Sequence, residues 1–260
     1  MTRKRGSFFI RSEGANEEAF KLGLGWLVQL VEKDLAKRRA RLAICTKRNL
    51  QGVIEDVLGG SSIRMLGKGE SVTLNEKVEV TLLTERERIY SWPGPILAAF
   101  PSKRLLDAID ALYDTTDVLV VPWTIGEVQY WIDTWGAAEF PSGTRPASML
   151  ALDPVLQEAL RSLTETVNLS TGISHPSDRA AAIGAFRALH GAGIRFDATT
   201  VRAWLVAEGK WNPRDADGVM EIAKKVSEGK RVHGERPSWN TDIVKIWRER
   251  AAKQGTGSVE

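Results

Sequence analysis

The chain has 260 residues, 43% of them hydrophobic and 27% charged, with a formal net charge of +3. That is ordinary globular composition, enough for one large domain or two modest ones, and it excludes a disordered or fibrous protein. No apolar run reaches the roughly 20 residues that span a bilayer, the basic start MTRKRGSFFIRSEG lacks the apolar core of a signal peptide, and the single cysteine, Cys45, rules out an internal disulfide and fits a reducing, cytoplasmic setting.

GSFFIRS at 6–12 reads as a strand, and the segment after it places Phe20, Leu24, Leu27, Val28 and Val31 at helical spacing. Asn16 is the expected N-cap of that helix, with Glu17 and Glu18 in the first turn where the helix dipole favours them. RLAICT is the next strand and NLQGVIEDVLG the next helix, closed by Gly59 and Gly60. SSIRML is expected to be a strand-like edge piece and KVEVTLLTE a strand. ILAAF, a helix over about 102–113, and VLVV complete the series. ILAAF and VLVV are continuous apolar runs, which is how strands read when helices cover both faces of a parallel sheet. The expected fold class is therefore α/β over residues 1–140, a Rossmann-like, mainly parallel sheet with helices on both faces.

PSGTRPAS, residues 141–148, is rich in Pro, Gly and Ser and reads as a linker. Residues 149–260 show no convincing strand and form an expected smaller all-helical domain, with helices near 153–167, 177–190, 197–208, 212–228 and 241–252. Ser177 and Asn212 are the expected caps, Pro213 opens a first turn, and Gly191, Gly209 and Gly229 are stops. The C-terminal region is basic: Lys224, Lys225, Lys230, Arg231, Arg236, Lys245, Arg248 and Arg250 outnumber Glu228, Glu235, Asp242 and Glu249.

Several signatures are missing. There is no GxxxxGK[ST] phosphate loop and no GxSxG elbow, and GLGWLV at 23–28 lies inside a predicted helix, where its glycines serve packing. His175, His190 and His233 are scattered and share no metal-ligand spacing with Cys45, so no metal site is expected and no cofactor is identified. Cys45 sits on an apolar strand and reads as a small hydrophobe.

What remains is a set of strand-to-helix corners. Ligands of open α/β sheets bind outside the carboxyl ends of the strands. Four corners belong there: Ser12-Glu13-Gly14 leading to Asn16, Thr46-Lys47-Arg48-Asn49, Pro101-Ser102-Lys103-Arg104, and Trp123-Thr124-Ile125-Gly126-Glu127. A cation at a helix N-terminus is disfavoured by about 0.3–1 kcal/mol, and an anionic ligand offsets that. The expected ligand-binding residues are Ser12, Gly14, Asn16, Lys47, Arg48, Ser102, Lys103, Arg104 and Trp123, and the expected ligand is a nucleotide or other phosphorylated small molecule. The competing explanation leaves these cations in water, paired with Glu13, Glu55 or Glu127. Glu127 is the candidate catalytic group of a nucleotide hydrolase or glycosyl-transfer enzyme, although a carboxylate in a first helical turn needs no such role. Trp123, Trp131 and Trp135 read first as core, and aromatic platforms also stack bases.

Residues 197–228 have the coarse form of a helix-turn-helix. The second helix begins Pro213-Arg214-Asp215-Ala216-Asp217, acidic apart from Arg214, which weakens a recognition-helix reading and leaves nonspecific phosphate contacts by the basic tail. The sequence thus points to a cytoplasmic binding protein for a nucleotide or phosphorylated ligand, whose helical domain contacts a protein or nucleic acid and no membrane. The alternatives are the Glu127 enzyme and a non-catalytic interaction module with an empty crevice.

Overall fold

The structure, a computed structural model, describes residues 5–145, 152–233 and 239–256. It divides into two compact units, one within residues 4–148 and one within 149–260.

The first unit is mixed α/β. Its seven strands are β1 (Gly6–Phe9), β2 (Arg39–Ile44), β3 (Val72–Leu74), β4 (Val78–Thr84), β5 (Pro95–Ala99), β6 (Asp117–Val121) and β7 (Ala138–Glu139). They lie in the order β3-β4-β2-β5-β6-β1-β7, and every pairing is parallel except β3 with β4. The expectation of one mainly parallel sheet containing the first strand, LAICT, ILAAF and VLVV holds. β5 and β6 are buried at every position, which is what their unbroken apolar runs require.

Helices α1 (Glu17–Lys33), α2 (Val53–Leu58) and α3 (Gly60–Lys68) pack on one face, where Phe20, Leu27, Ile54 and Leu66 meet Leu42, Val80, Leu97 and Leu119. Helices α4 (Lys103–Asp110) and α5 (Ile125–Trp135) pack on the other, where Leu105, Ile109, Val128 and Trp131 meet Ala43, Ile96, Ala98 and Val120. Asn16 caps α1 as expected, its Oδ1 accepting from the Ala19 N–H at 2.9 Å. Gly23 of GLGWLV lets α1 approach the sheet: a Cβ there would stand 2.8 Å from Leu97 Cδ1.

SSIRML is not a strand but the body of α3. Ile63 and Leu66 stand one turn apart and pack into the same core, while Gly69, at φ 85°, closes the helix in the left-handed region. The helical stripe overrides the strand preference of a lone isoleucine. Of the expected linker, residues 141–145 are exposed and 146–148 lie outside the described residues. Its start is an ordered turn on β7: Glu139 and Thr144 share a 2.7 Å backbone hydrogen bond, and Arg145 donates to the Gly136 carbonyl at 3.3 Å.

The second unit is helical, with no strand among the described residues: α6 (Pro154–Thr166), α7 (Pro176–Gly191), α8 (Ala198–Ala207), α9 (Pro213–Ser227) and α10 (Ile243–Thr256). Asp153, Asp197 and Asn212 cap α6, α8 and α9. The cap of α7 is His175, not Ser177, because Pro176 occupies the first helical position and the His175 ring accepts from the Ser177 N–H. An ion pair between Arg202 and Asp217 joins α8 to α9, so one of the acidic residues that opens α9 is engaged internally. Buried Trp247 ties α10 to α6 by donating to Ser162 Oγ at 2.9 Å.

Candidate functional site at the carboxyl edge of the sheet

The chain leaves β2 through α2 and α3 on one face toward β4, and leaves β5 through α4 on the opposite face toward β6. β2 and β5 are neighbours, so their connections diverge, and the sheet has a topological switch point between them. The two basic corners of the sequence flank this point. Between β6 and β1 the connections cross on opposite faces instead of diverging, since β6 leads to β7 beyond β1 and β1 leads to β2 beyond β6, and hydrogen bonds close the gap. Gly14 N–H donates to the Trp123 carbonyl and Ser12 Oγ to the Pro122 carbonyl, both at 2.7 Å, and Ser12 is buried. Ser12, Gly14 and Asn16 therefore hold the corner and the start of α1 in place.

At the β2/β5 point, Cys45 spans the two strands. Its Sγ accepts from the Ser102 N–H at 3.3 Å and donates to the Phe100 carbonyl at 3.6 Å, and burial pushes its thiol above the ordinary value. Ser102 caps α4, its Oγ accepting from the Leu105 N–H at 3.1 Å and donating to Glu85 Oε1. Glu85, just past β4, also stands 4.0 Å from Arg104 Nε. Phe100 holds a left-handed φ of 48°, a strained conformation for an aromatic residue and of the kind that gathers at functional sites. Its ring meets Trp123 edge-on at 6.0 Å, and Trp123 is 48% exposed.

The corners are adjacent, yet the four cations do not converge. Lys47 Nζ turns toward α3 and donates to the Gly67 carbonyl at 2.5 Å. Lys103 pairs with Asp107 at 2.7 Å and lies 5.7 Å from the Tyr130 ring centroid. Arg48 is exposed and forms no ion pair among the described residues, and the Arg104 side chain is 79% exposed. The carboxylates engaged are Asp107 and Glu85, not Glu13, Glu55 or Glu127. Glu127 is exposed in the first turn of α5, with no ion pair among the described residues.

Glu85 is the residue that sequence reasoning passed over. TLLTERER does place a carboxylate at the end of a strand, but no helix follows β4 directly, so that corner does not stand out. Among the described residues there is no group of three His, Cys, Asp or Glu able to hold a metal ion, and no helix long and apolar enough to cross a membrane.

Residues 152–248, within the helical unit, match a family model described as a domain of unknown function, DUF1889. No curated protein matches the chain. A crystal structure of a protein from Salmonella typhimurium is similar at 27% identity, covering 38% of this chain and 98% of that one, with a TM-score of 0.33.

Proposed function

We propose that the α/β unit is a Rossmann-like domain that binds a nucleotide or other phosphorylated ligand at the β2/β5 corner. The observation behind this reading is the coincidence of a topological switch point with two exposed guanidiniums, Arg48 and Arg104, on its two sides. Arginine suits phosphate through paired N–H donors. Lys47 and Lys103 flank the corner; Lys47 adds positive potential, while Asp107 offsets the charge of Lys103. Trp123 offers a ring face to a base or other planar group. A cytoplasmic location belongs to this proposal, with Cys45 as a reduced thiol.

The helical unit, in the same proposal, contacts a protein or nucleic acid through exposed Lys224, Lys225, Lys230, Arg231, Lys245, Arg248 and Arg250, and Arg236 of the same basic set lies outside the described residues. Catalysis by Glu127 is the alternative, favoured by its exposed position in the first turn of α5, four residues on from Trp123 and with no ion pair among the described residues, and product formation from nucleotides tests it.

The direct test changes Arg48 and Arg104 together to Gln. Both side chains are exposed, so folding is expected to be retained while the thermal shift produced by phosphorylated ligands falls. The difference between parent and variant is expected to shrink as salt rises, because screening weakens the charge contribution in the parent. Mass spectrometry of small molecules released from the gently denatured protein identifies the ligand. An unchanged thermal shift in the double variant overturns the proposal.

A further inference from the structure

β4, β2 and β5 are adjacent parallel strands, and just past their carboxyl ends stand Glu85, Cys45 and Ser102. The three are bound together: the Glu85 N–H donates to the Cys45 carbonyl at 3.4 Å, Cys45 Sγ accepts from the Ser102 N–H, and Ser102 Oγ donates to Glu85. A carboxylate thus stands at the β4 side of a corner whose rim carries Arg48 and Arg104, and reaches Ser102 across the end of β2. For a bare anion this is a poor site, since the like charge opposes it and Arg104 is already 4.0 Å from Glu85.

We infer that Glu85 sets the specificity of this corner, excluding simple anions and admitting a phosphate ester whose carbon skeleton carries neighbouring hydroxyl groups. This rests on the phosphorylated-ligand reading above. A carboxylate has about four acceptor positions. The Ser102 hydroxyl fills one, and the pairing with Arg104 at 4.0 Å is too long to fill another well. The Glu85 side chain remains 16% exposed, so acceptor capacity is open to a ligand. Because the carboxylate can only accept, the ligand must bring donors. Hydroxyls beside a phosphate supply them, and the two kinds of group match the carboxylate and the guanidiniums in turn. Ser102 fixes the carboxylate, so its orientation is set before a ligand arrives.

Two sources share this chemistry, a free sugar phosphate and a ribonucleotide, and Trp123 separates them by stacking a base. The test is calorimetric titration of the full chain and of Glu85→Gln with inorganic phosphate, ribose 5-phosphate, adenosine 5′-phosphate and its 2′,3′-dideoxy analogue. The glutamine carbonyl can still accept from Ser102, which preserves the corner. The parent is expected to bind the hydroxyl-bearing nucleotide about tenfold to hundredfold more tightly than the dideoxy analogue, the range of a hydrogen bond to a charged group. In Glu85→Gln that ratio is expected to fall by at least about fivefold, the size of an ordinary net hydrogen bond, while inorganic phosphate binds more tightly. Adenosine 5′-phosphate exceeding ribose 5-phosphate in the parent supports the inference with a nucleotide as ligand, and the reverse order supports it with a sugar phosphate. Arg104→Gln serves as the second variant: it is expected to weaken every phosphate probe and leave the hydroxyl ratio unchanged. If Glu85→Gln tightens all probes by one common factor, Glu85 is only a charge partner of Arg104 and the inference is overturned, while the phosphorylated-ligand reading stands. If no probe binds the parent, both fall.

Discussion

The Arg5 guanidinium and the Asp110 carboxylate form an ion pair at 2.6 Å that is closed to solvent from both sides. Arg5 immediately precedes β1, and Asp110 ends α4. Trp131 and Trp135 of α5 each donate an indole N–H to Asp110, at 3.1 and 3.2 Å, and Arg5 Cζ lies 3.5 Å from the Trp135 ring centroid. One carboxylate thereby gathers the start of the chain and both helices of one sheet face.

Removing that carboxylate takes the ion-pair partner from a buried cation and the acceptor from two indole donors, one on buried Trp131 and one on half-buried Trp135. Asp110→Ala is expected to lower unfolding free energy by about 3–5 kcal/mol, the loss typical of breaking a buried pair from one side. Equilibrium urea unfolding measures it. A change under about 1 kcal/mol, the scale of an exposed pair, would mean that water reaches Arg5.

Asp197 caps α8 through Oδ1, which accepts from the Thr200 N–H at 2.8 Å and from the hydroxyls of Thr199 and Thr200. The Thr199 hydroxyl is the main cause of a carboxyl held below its ordinary value. A depressed folded-state value means the stabilisation is present above the unfolded value of about 3.9 and is lost as pH falls through the folded one. Asp197→Ala is expected to cost about 0.5–2 kcal/mol at neutral pH. The gap between variant and parent should narrow in strong acid, as seen by circular dichroism melts at both pH values.

Asp215 shows the opposite sign. Burial raises its carboxyl, with the nearby Arg214 charge opposing in part. Its carboxylate lies against Gly172, where a Cβ would stand 2.1 Å from Asp215 Cγ. The folded state holds the proton to higher pH than the unfolded chain, so stability falls as pH rises between the two values and the penalty is complete above both. Asp215→Asn is expected to melt higher than the parent at pH 7 and level with it in acid. A lower melting point at pH 7 would show that the charge itself holds the 172–215 contact.

Cys45 is a test of the corner. With its thiol raised by burial, alkylation by iodoacetamide at pH 7 is expected to be much slower in the folded protein than in urea, and to accelerate as pH climbs. Rapid labelling of the folded chain at neutral pH would place the sulfur outside the Phe100–Ser102 clasp.

What the sequence made legible was what depends on neighbours along the chain. ILAAF and VLVV announce doubly covered strands, Asn16 and Asn212 cap their helices, and Trp131 packs as core. Local chemistry failed where two local rules competed, as when Pro176 moved the cap from Ser177 to His175. β3 and β7, three and two residues long, exist only because a longer strand offers them an edge, so no period in the sequence reveals them. The site divides in the same way. Each basic corner is legible because strand, turn and helix are consecutive. Glu85 is not, because its meaning comes from β4, β2 and β5 being neighbours. Nor does local reading show that Lys47 turns to the Gly67 carbonyl on α3, whereas the pairing of Lys103 with Asp107 is an i,i+4 contact along α4.

The place of β1 in the sheet bears on how the unit is made. β1 lies between β6 and β7, and its first residue, Gly6, pairs with Asp117. At about 5–20 residues per second, a ribosome takes on the order of ten seconds to travel from one to the other. Through that interval β1 has no strand to pair with, and Phe8 and Phe9 have no sheet to enter. The α/β unit therefore cannot be completed in the order in which it is synthesised. Its earliest strand is among the last to be seated, and the nascent chain must keep two adjacent phenylalanines from other company until it is.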